Sequence, residues 1–311
     1  MRNRQNAVLG VMALVGFAAA QVAVPAHAST AALSGAREVA HFDVNALQQP
    51  ENITLEPGGA ADVTFNRARQ VARVDTDGSV SVLATLPAPA TGTAAVSGIV
   101  RGKDGSLYVN YNAGSRSGIW RIARGGGTPV QVVALPEVKV INGLALDRGE
   151  GALYATDSTS GTVWKVSLKN DTASVWAQGA ELEPTKSPGF GANGIKIHDG
   201  AVWVSNTDQG TLLRIPIDAH GTAGAVTTVA QGLTAIDDFA FTGDGDTVLA
   251  AQNYVSQVSL VHPGGTHQTV LTSTDGLSNP TSIAVRGSTV YVASAAYFTH
   301  ADPNLLLAKL G

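Results

Sequence analysis

A repeat of 44 to 51 residues constrains this chain more than any other feature of its sequence. Each copy opens with a polar residue, a small or polar residue and an apolar anchor, followed by short apolar runs and Gly/Asp turns. The six copies begin at Glu51-Asn52-Ile53, Ser97-Gly98-Ile99, Asn142-Gly143-Leu144, Asn193-Gly194-Ile195, Asp237-Asp238-Phe239 and Thr281-Ser282-Ile283. A four-stranded propeller blade takes about 40 to 50 residues, so the spacing predicts one blade per copy.

The strands within the copies predict how the ring closes. The fourth copy contains four candidate strands, at residues 194–197, 201–205, 211–215 and 226–230, whereas the sixth contains only three before the chain ends. Residues 37–44 alternate like a strand and precede the first copy, so they can complete the last blade. We therefore predict an all-β, six-bladed β-propeller closed by an N-terminal strand. A β-sandwich or a solenoid is the alternative fold, and neither explains the additional strand.

Residues 1–28 have the pattern of a secretory signal peptide. Arg2 and Arg4 precede an apolar run at residues 8–20, and Ala26-His27-Ala28 has the form of a cleavage site. The run is shorter than the 20 or so residues that cross a bilayer. These features predict a secreted or periplasmic protein with no membrane association after cleavage, and a single propeller domain at residues 29–311.

Composition excludes several classes of function. The formal net charge is −4 and lysine and arginine form no stripe along the chain, which argues against nucleic acid as a partner. There are no cysteines, so disulfides, thiolate nucleophiles and thiolate metal sites are all excluded. A self-contained ring of this length is expected to be a monomer with a small-molecule partner.

The first residue of every copy is polar. In a propeller the first strand of each blade lines the central channel, so these residues are expected to converge at the channel mouth. Asn and Asp also begin strands because they form turns, which is an alternative explanation for part of the set. The group offers carboxylate and amide oxygens without His or Cys, which suits Ca²⁺, Mg²⁺ or Mn²⁺. Its members are Glu51, Ser97, Asn142, Asn193, Asp237 and Thr281.

These residues and their order resemble the senescence-marker-protein and gluconolactonase family of six-bladed, metal-dependent propellers. The resemblance covers nearly the whole chain after the signal peptide. It implies a divalent cation, most simply Ca²⁺, held by Glu51 in Pro-Glu-Asn-Ile, Asn193 in Ala-Asn-Gly-Ile and Asp237 in Ile-Asp-Asp-Phe. It also implies that Asn142 in Ile-Asn-Gly-Leu faces the substrate, and we place Ser97, Asp238 and Thr281 on the substrate side with it.

The resemblance leads to a functional hypothesis, a metal-dependent hydrolase of a lactone or related ester in which Asp237 is the catalytic proton acceptor. Val140 stands where family members that act on sugar lactones have Arg, which argues against sugar-acid lactones. Asp238 competes with Asp237 for the metal-binding role. A binding propeller for protein or glycan, and a non-hydrolytic enzyme that catalyses a cyclisation, are the alternatives. Tyr111 and Tyr254 are expected to border the channel mouth.

Overall fold

The computed structural model describes residues 33–147, 149 and 151–311 of the chain. The predicted signal peptide, residues 1–28, lies outside the described residues. The described residues form six four-stranded antiparallel sheets arranged as the blades of a propeller, which confirms the predicted fold class. Within the described part of the chain, no helix is long and apolar enough to cross a membrane.

The strands follow the repeat. The N-terminal strand is β1 (Leu33–His41). Blade 1 contains β2 (Pro50–Leu55), β3 (Ala61–Phe65), β4 (Gln70–Val74) and β5 (Val80–Thr85). Blade 2 contains β6 (Ala95–Arg101), β7 (Leu107–Asn112), β8 (Gly118–Ile122) and β9 (Val130–Ala134). Blade 3 contains β10 (Ile141–Asp147), β11 (Ala152–Asp157), β12 (Thr162–Ser167) and β13 (Thr172–Gln178).

The second half repeats this meander. Blade 4 contains β14 (Ala192–His198), β15 (Ala201–Asn206), β16 (Thr211–Pro216) and β17 (Thr227–Ala230). Blade 5 contains β18 (Ile236–Phe241), β19 (Val248–Gln252), β20 (Gln257–Val261) and β21 (His267–Leu271). Blade 6 contains β22 (Pro280–Arg286), β23 (Thr289–Ser294) and β24 (Asn304–Leu310). Short 3-10 helices span Gly114–Arg116 and Ser273–Asp275.

Strand β1 completes blade 6, as the sequence predicts. The last sheet has the order β1-β24-β23-β22, and β1 pairs antiparallel with β24 from Leu33 opposite Leu310 to His41 opposite Asn304. The strand spans Leu33–His41 and not the predicted residues 37–44. It ends at His41 because Oδ1 of Asp43 accepts a hydrogen bond from the backbone N–H of Asn45, which starts a turn. The N-terminal and C-terminal strands thus share one blade, and the sheet edge that β24 would expose is paired.

All six inner strands carry an irregularity at the first residues of the repeat. The register with the second strand shifts between Pro50 and Asn52 in blade 1 and between Ala192 and Ile195 in blade 4, with equivalent shifts in the other four blades. A β-bulge leaves a residue out of the ladder and turns its side chain. The bulges therefore allow the polar side chains at the start of each repeat to point away from the apolar positions that alternate along the inner strand.

Glycine at the second repeat position lets neighbouring inner strands approach closely. A Cβ atom on Gly143 would overlap the carbonyl oxygen of Asn193 in the next blade, and one on Gly98 would overlap that of Asn142. Blades 1, 5 and 6 have polar side chains at this position instead, namely Asn52, Asp238 and Ser282. The inner strands of blades 2 to 4 therefore lie close to the next inner strand, and polar side chains occupy the equivalent position in the other three blades.

Apolar side chains pack between successive blades rather than around one central core. Trp203 of blade 4, for example, is buried in one cluster with Phe239 of blade 5. Burying a side chain of this size stabilises the fold by about 1.5–3 kcal/mol. Hydroxyl and amide groups of the second strands also bond to the next inner strand, as Thr64 does to the Ser97 carbonyl and Asn110 to the Asn142 carbonyl. These contacts hold the inner strands, and so the channel residues, in place.

Candidate active site at the channel mouth

The six repeat positions lie at the start of the inner strands, on one face of the ring that we call the mouth face. Because each blade is an antiparallel meander, the loops between blades and those between second and third strands also lie on this face. Glu51, Ser97, Asn142, Asn193 and Thr281 are buried, and Asp237 is partly exposed. The ring therefore brings the six positions to the same face, but their side chains have different hydrogen-bond partners.

Glu51 is a buried carboxylate bonded to a tyrosine. The Tyr297 hydroxyl donates a hydrogen bond to Oε2 of Glu51. Burial raises the pKa of Glu51 to about 7, against the opposing effect of the Tyr297 hydrogen bond, and the charge of Asp238 raises it further. Glu51 is thus poised to exchange a proton near neutral pH or to accept a positive charge.

Asp237 is a second carboxylate in the same polar group. Burial raises its pKa well above the ordinary value, and the negative charges of Glu51 and then Asp238 raise it further. Hydrogen bonds from Asn193 and Asn253 act in the opposite direction, with Nδ2 of Asn253 lying 3.3 Å from Oδ2 of Asp237. Glu51 and Asp238 thus both act on Asp237, and the three carboxylates form a site of concentrated negative charge.

The amide side chains differ in how much of their hydrogen-bonding capacity is used. Asn193 donates to Oγ1 of Thr207 at 2.9 Å as well as bonding Asp237, which leaves its Oδ1 as a candidate ligand atom. Asn142 is buried, and its side-chain amide has no hydrogen-bond partner among the described residues. Asn193 is therefore oriented towards Asp237, and Asn142 offers an uncommitted donor and acceptor.

Two residues placed on the substrate side by sequence are engaged elsewhere. The Ser97 hydroxyl donates to the Ile141 carbonyl of the next blade at 2.7 Å. The Thr281 hydroxyl donates to the Pro50 carbonyl at 2.9 Å, across the junction of blades 6 and 1. In this arrangement both hydroxyls connect inner strands and present no free proton to a substrate.

Asp237 and Asp238 have different surroundings. Both carboxylate oxygens of Asp238 lie close to Nζ of Lys196, at 2.6 and 2.7 Å. Asn52 and Ser282 also donate to Oδ2 of Asp238, at 3.4 and 2.7 Å. Asp238 is thus ion-paired and hydrogen-bonded within the channel, whereas Asp237 forms no ion pair with a lysine or arginine among the described residues.

Tyr297 is a site residue that sequence reasoning did not identify. It lies in residues 295–303, the connection between β23 and β24, which is longer than the equivalent connections such as residues 207–210. Ala296 has a left-handed backbone with φ 53°, and Asn279 Oδ1 accepts hydrogen bonds from the backbone N–H groups of Phe298 and Thr299. The unusual length of this loop was the one available signal, because Tyr297 does not occupy a repeat position.

Tyr111 does not border the channel mouth, so the expectation from the sequence was wrong for this residue. It is fully buried between the blades, and its ring makes an edge contact with Trp120 at a centroid distance of 5.8 Å. Its hydroxyl donates to the Pro87 carbonyl. Tyr254 is exposed in residues 253–256, on the mouth face as expected.

Comparison with known proteins places the chain in a family. A family model described as a repeat of unknown function, DUF6923, matches residues 58–237, which is more than half of the chain. The chain belongs to the DUF6923 family. The matched part of the DUF6923 chain includes Asn142, Asn193 and Asp237, while Glu51 and Tyr297 lie outside it. No curated protein matches the chain.

Solved structures similar to the DUF6923 propeller include proteins named as enzymes and as binding proteins. A gluconolactonase-like protein is 17% identical, with a TM-score of 0.67 over 90% of this chain and 93% of its own. The calcium-binding protein regucalcin from Agrobacterium tumefaciens is 14% identical, with a TM-score of 0.64 over 84% and 90%. Virginiamycin B lyase from Staphylococcus aureus is 14% identical, with a TM-score of 0.60 over 89% and 99%. At these identities the likeness concerns the fold.

Proposed function

We propose that this DUF6923 propeller is a metal-dependent hydrolase of a lactone or related ester. The observation that carries the proposal is the pair of carboxylates at the channel mouth, Glu51 and Asp237. Each has its pKa raised by burial, and the charge of Glu51 raises that of Asp237. The neighbouring lysine, Lys196, is engaged by Asp238 and does not neutralise the pair.

The residues present fit a hard divalent cation. Glu51 and Asp237 would supply carboxylate oxygens and Asn193 an amide oxygen, which is the donor chemistry preferred by Ca²⁺ and Mg²⁺. A bound cation would compensate the negative charge of these buried carboxylates and so lower both pKa values. The family resemblance of the same three residues, and the calcium-binding and gluconolactonase-like proteins among the structural neighbours, support this assignment.

The chain's own residues could then act on a bound ester. A bound cation would supply charge stabilisation for the carbonyl oxygen of the ester. Asp237 would act as the general base, accepting a proton from water as the water oxygen bonds to the acyl carbon. The ester C–O bond then breaks, and the leaving alkoxide takes the proton from Asp237. The net reaction consumes one water and yields one hydroxy acid from a lactone.

Other residues would orient these groups. Tyr297 holds the Glu51 carboxylate by its hydrogen bond, and Asn193 and Asn253 hold that of Asp237. The uncommitted amide of Asn142 would bond the substrate. In this proposal the enzyme is a monomer acting on a small molecule outside the cytoplasm, with residues 1–28 as its signal peptide.

Calorimetry with Ca²⁺ tests the proposal on protein first freed of metal with a chelator. Wild type should bind Ca²⁺, and the Glu51→Gln, Asp237→Asn double variant should not. A matched control, Asp246→Asn with Asp302→Asn, removes a carboxylate from each of two surface His/Asp/Glu clusters and should bind as wild type does. Loss of binding in the control alone would place the metal at the surface.

Hydrolysis tests the second half of the proposal. Acid release from a panel of lactones and esters should be detectable with wild type and Ca²⁺, and absent after Asp237→Asn. Unchanged turnover in that variant would refute the role of Asp237. Absence of Ca²⁺ binding and of hydrolysis in wild type would leave the binding propeller as the better hypothesis, whereas Ca²⁺ binding without hydrolysis would favour the non-hydrolytic enzyme.

A further inference from the structure

Two exposed aromatic side chains, Tyr254 and Phe298, contact each other on the mouth face. Their ring centroids are 4.5 Å apart and the ring planes are inclined by 52°. Tyr254 is 50% exposed and Phe298 is 53% exposed. Apolar rings in contact with water are unfavourable by themselves, and an exposed cluster of them commonly marks a binding surface.

The aromatic pair is directly connected to the carboxylate site. Tyr254 follows Asn253, whose amide donates to Asp237. Phe298 follows Tyr297, whose hydroxyl donates to Glu51. Adjacent Cα atoms are about 3.8 Å apart, so each exposed ring begins one residue from a group that bonds a site carboxylate.

Among the loops that join second and third strands, aromatic residues occur in those of blades 5 and 6. The equivalent loops of blades 1 to 4, at residues 66–69, 113–117, 158–161 and 207–210, contain no aromatic residue. The backbone N–H of Phe298 is bonded to Oδ1 of Asn279 at 2.9 Å, which holds that side of the surface in place. A ligand bound at the carboxylates and extending towards blades 5 and 6 would therefore meet a prearranged apolar surface.

We propose that Tyr254 and Phe298 form a subsite for an aromatic or other flat apolar group of the substrate. The proposal rests on the hydrolase function and narrows its substrate class to lactones and esters that carry such a group. Aromatic pairs contribute about 0.5–1.5 kcal/mol beyond the area that they bury, and offset or edge contacts are favoured. A planar ring lying against both side chains would satisfy this geometry while the ester carbonyl reaches Asp237.

The test compares δ-valerolactone with 4-phenyl-δ-valerolactone, which have the same alkoxide leaving group. Wild type should hydrolyse the phenyl lactone with a kcat/KM at least about tenfold higher than its kcat/KM for δ-valerolactone. The Tyr254→Ala, Phe298→Ala double variant should remove most of that preference. Val130→Ala, which shortens an exposed apolar side chain on strand β9, is the control and should retain it.

Binding of the product acids separates this proposal from the hydrolase itself. Calorimetry should show 5-hydroxy-3-phenylpentanoate binding more tightly than 5-hydroxypentanoate to wild type, and losing that advantage in the aromatic double variant. If no lactone is hydrolysed but this pattern of binding is found, the hydrolase proposal fails and the subsite stands. The subsite would be overturned if wild type showed equal kcat/KM and equal affinity for the phenyl and unsubstituted compounds. It would also be overturned if the aromatic double variant kept the wild-type preference.

Discussion

Lys196 and Asp238 form an ion pair inside the channel, with Nζ at 2.6 Å from Oδ1 and 2.7 Å from Oδ2. Asp238 is almost fully buried, so its charge depends on Lys196 and on the hydroxyl of Ser282. Asp237 is the adjacent residue, and within the described part of the chain it forms no ion pair with a lysine. The channel therefore holds one ion-paired carboxylate beside two whose pKa values are raised by burial.

Lys196→Met should destabilise the protein by about 3–5 kcal/mol, because it leaves Asp238 charged and buried without its partner. Urea unfolding at pH 7 measures the change in the free energy of unfolding. Lys309→Met removes an exposed lysine and should change it by less than about 0.5 kcal/mol. Adding Asp238→Asn to Lys196→Met should recover part of the loss, and a stable single variant would contradict the inferred role of the pair.

Tyr297→Phe should raise the pKa of Glu51 further. The hydroxyl now stabilises the charged carboxylate, and a hydrogen bond to a charged group contributes about 1.5–3 kcal/mol. Its loss corresponds to an upward shift of about one to two pH units. Carbon NMR of labelled glutamate measures the titration directly. Tyr291→Phe, which removes a hydroxyl bonded to the Gly59 carbonyl, should leave Glu51 unchanged.

The metal-free protein should become less stable as the pH rises from about 5 to 8. Burial raises the pKa of Glu51 to about 7 and that of Asp62 to about 6, above their ordinary values of 4.5 and 3.8. The folded state then binds more protons than the unfolded state in this range, so raising the pH favours unfolding. The lowered pKa values of Asp77, Asp104 and Asp218 act at more acidic pH.

Melting temperatures measured in a chelating buffer test this sign, with an expected decrease of a few degrees between pH 5.5 and 8. Glu51→Gln should make the profile flatter because the variant side chain does not titrate. A melting temperature that rises with pH over this range in wild type would show that other groups dominate.

Gly143→Ala should disturb the ring. The added Cβ would overlap the Asn193 carbonyl, a backbone atom of the next inner strand, so relief requires the two strands to separate. A loss of about 1–3 kcal/mol is expected, as for other overpacked sites, together with weaker Ca²⁺ binding. Gly58→Ala is the matched control, since its Cβ would meet nothing within 4 Å. Equal stability of the two variants in denaturant titration would contradict the close approach of these strands.

The residues that the sequence places well are those on the repeat. Glu51, Asn193 and Asp237 were expected at the start of the inner strands of blades 1, 4 and 5, because equal spacing along the chain becomes equivalent position around a ring. The same argument predicts the closing strand, since a sixth copy with three strands needs one from the other end of the chain. A repeat in the sequence thus predicts equivalent positions in the structure even when no individual contact is known.

The sequence by itself therefore determined the propeller, its closure and the set of polar positions that face one channel. Only the tertiary structure decided which of these groups are engaged. It directs the Ser97 and Thr281 hydroxyls to backbone carbonyls, pairs Asp238 with Lys196, and brings Tyr297 to Glu51 across 246 residues of chain. These partners depend on loop paths and side-chain packing, which do not follow the sequence repeat. A hydrogen bond requires both of its atoms to be in position, so the repeat alone does not predict it.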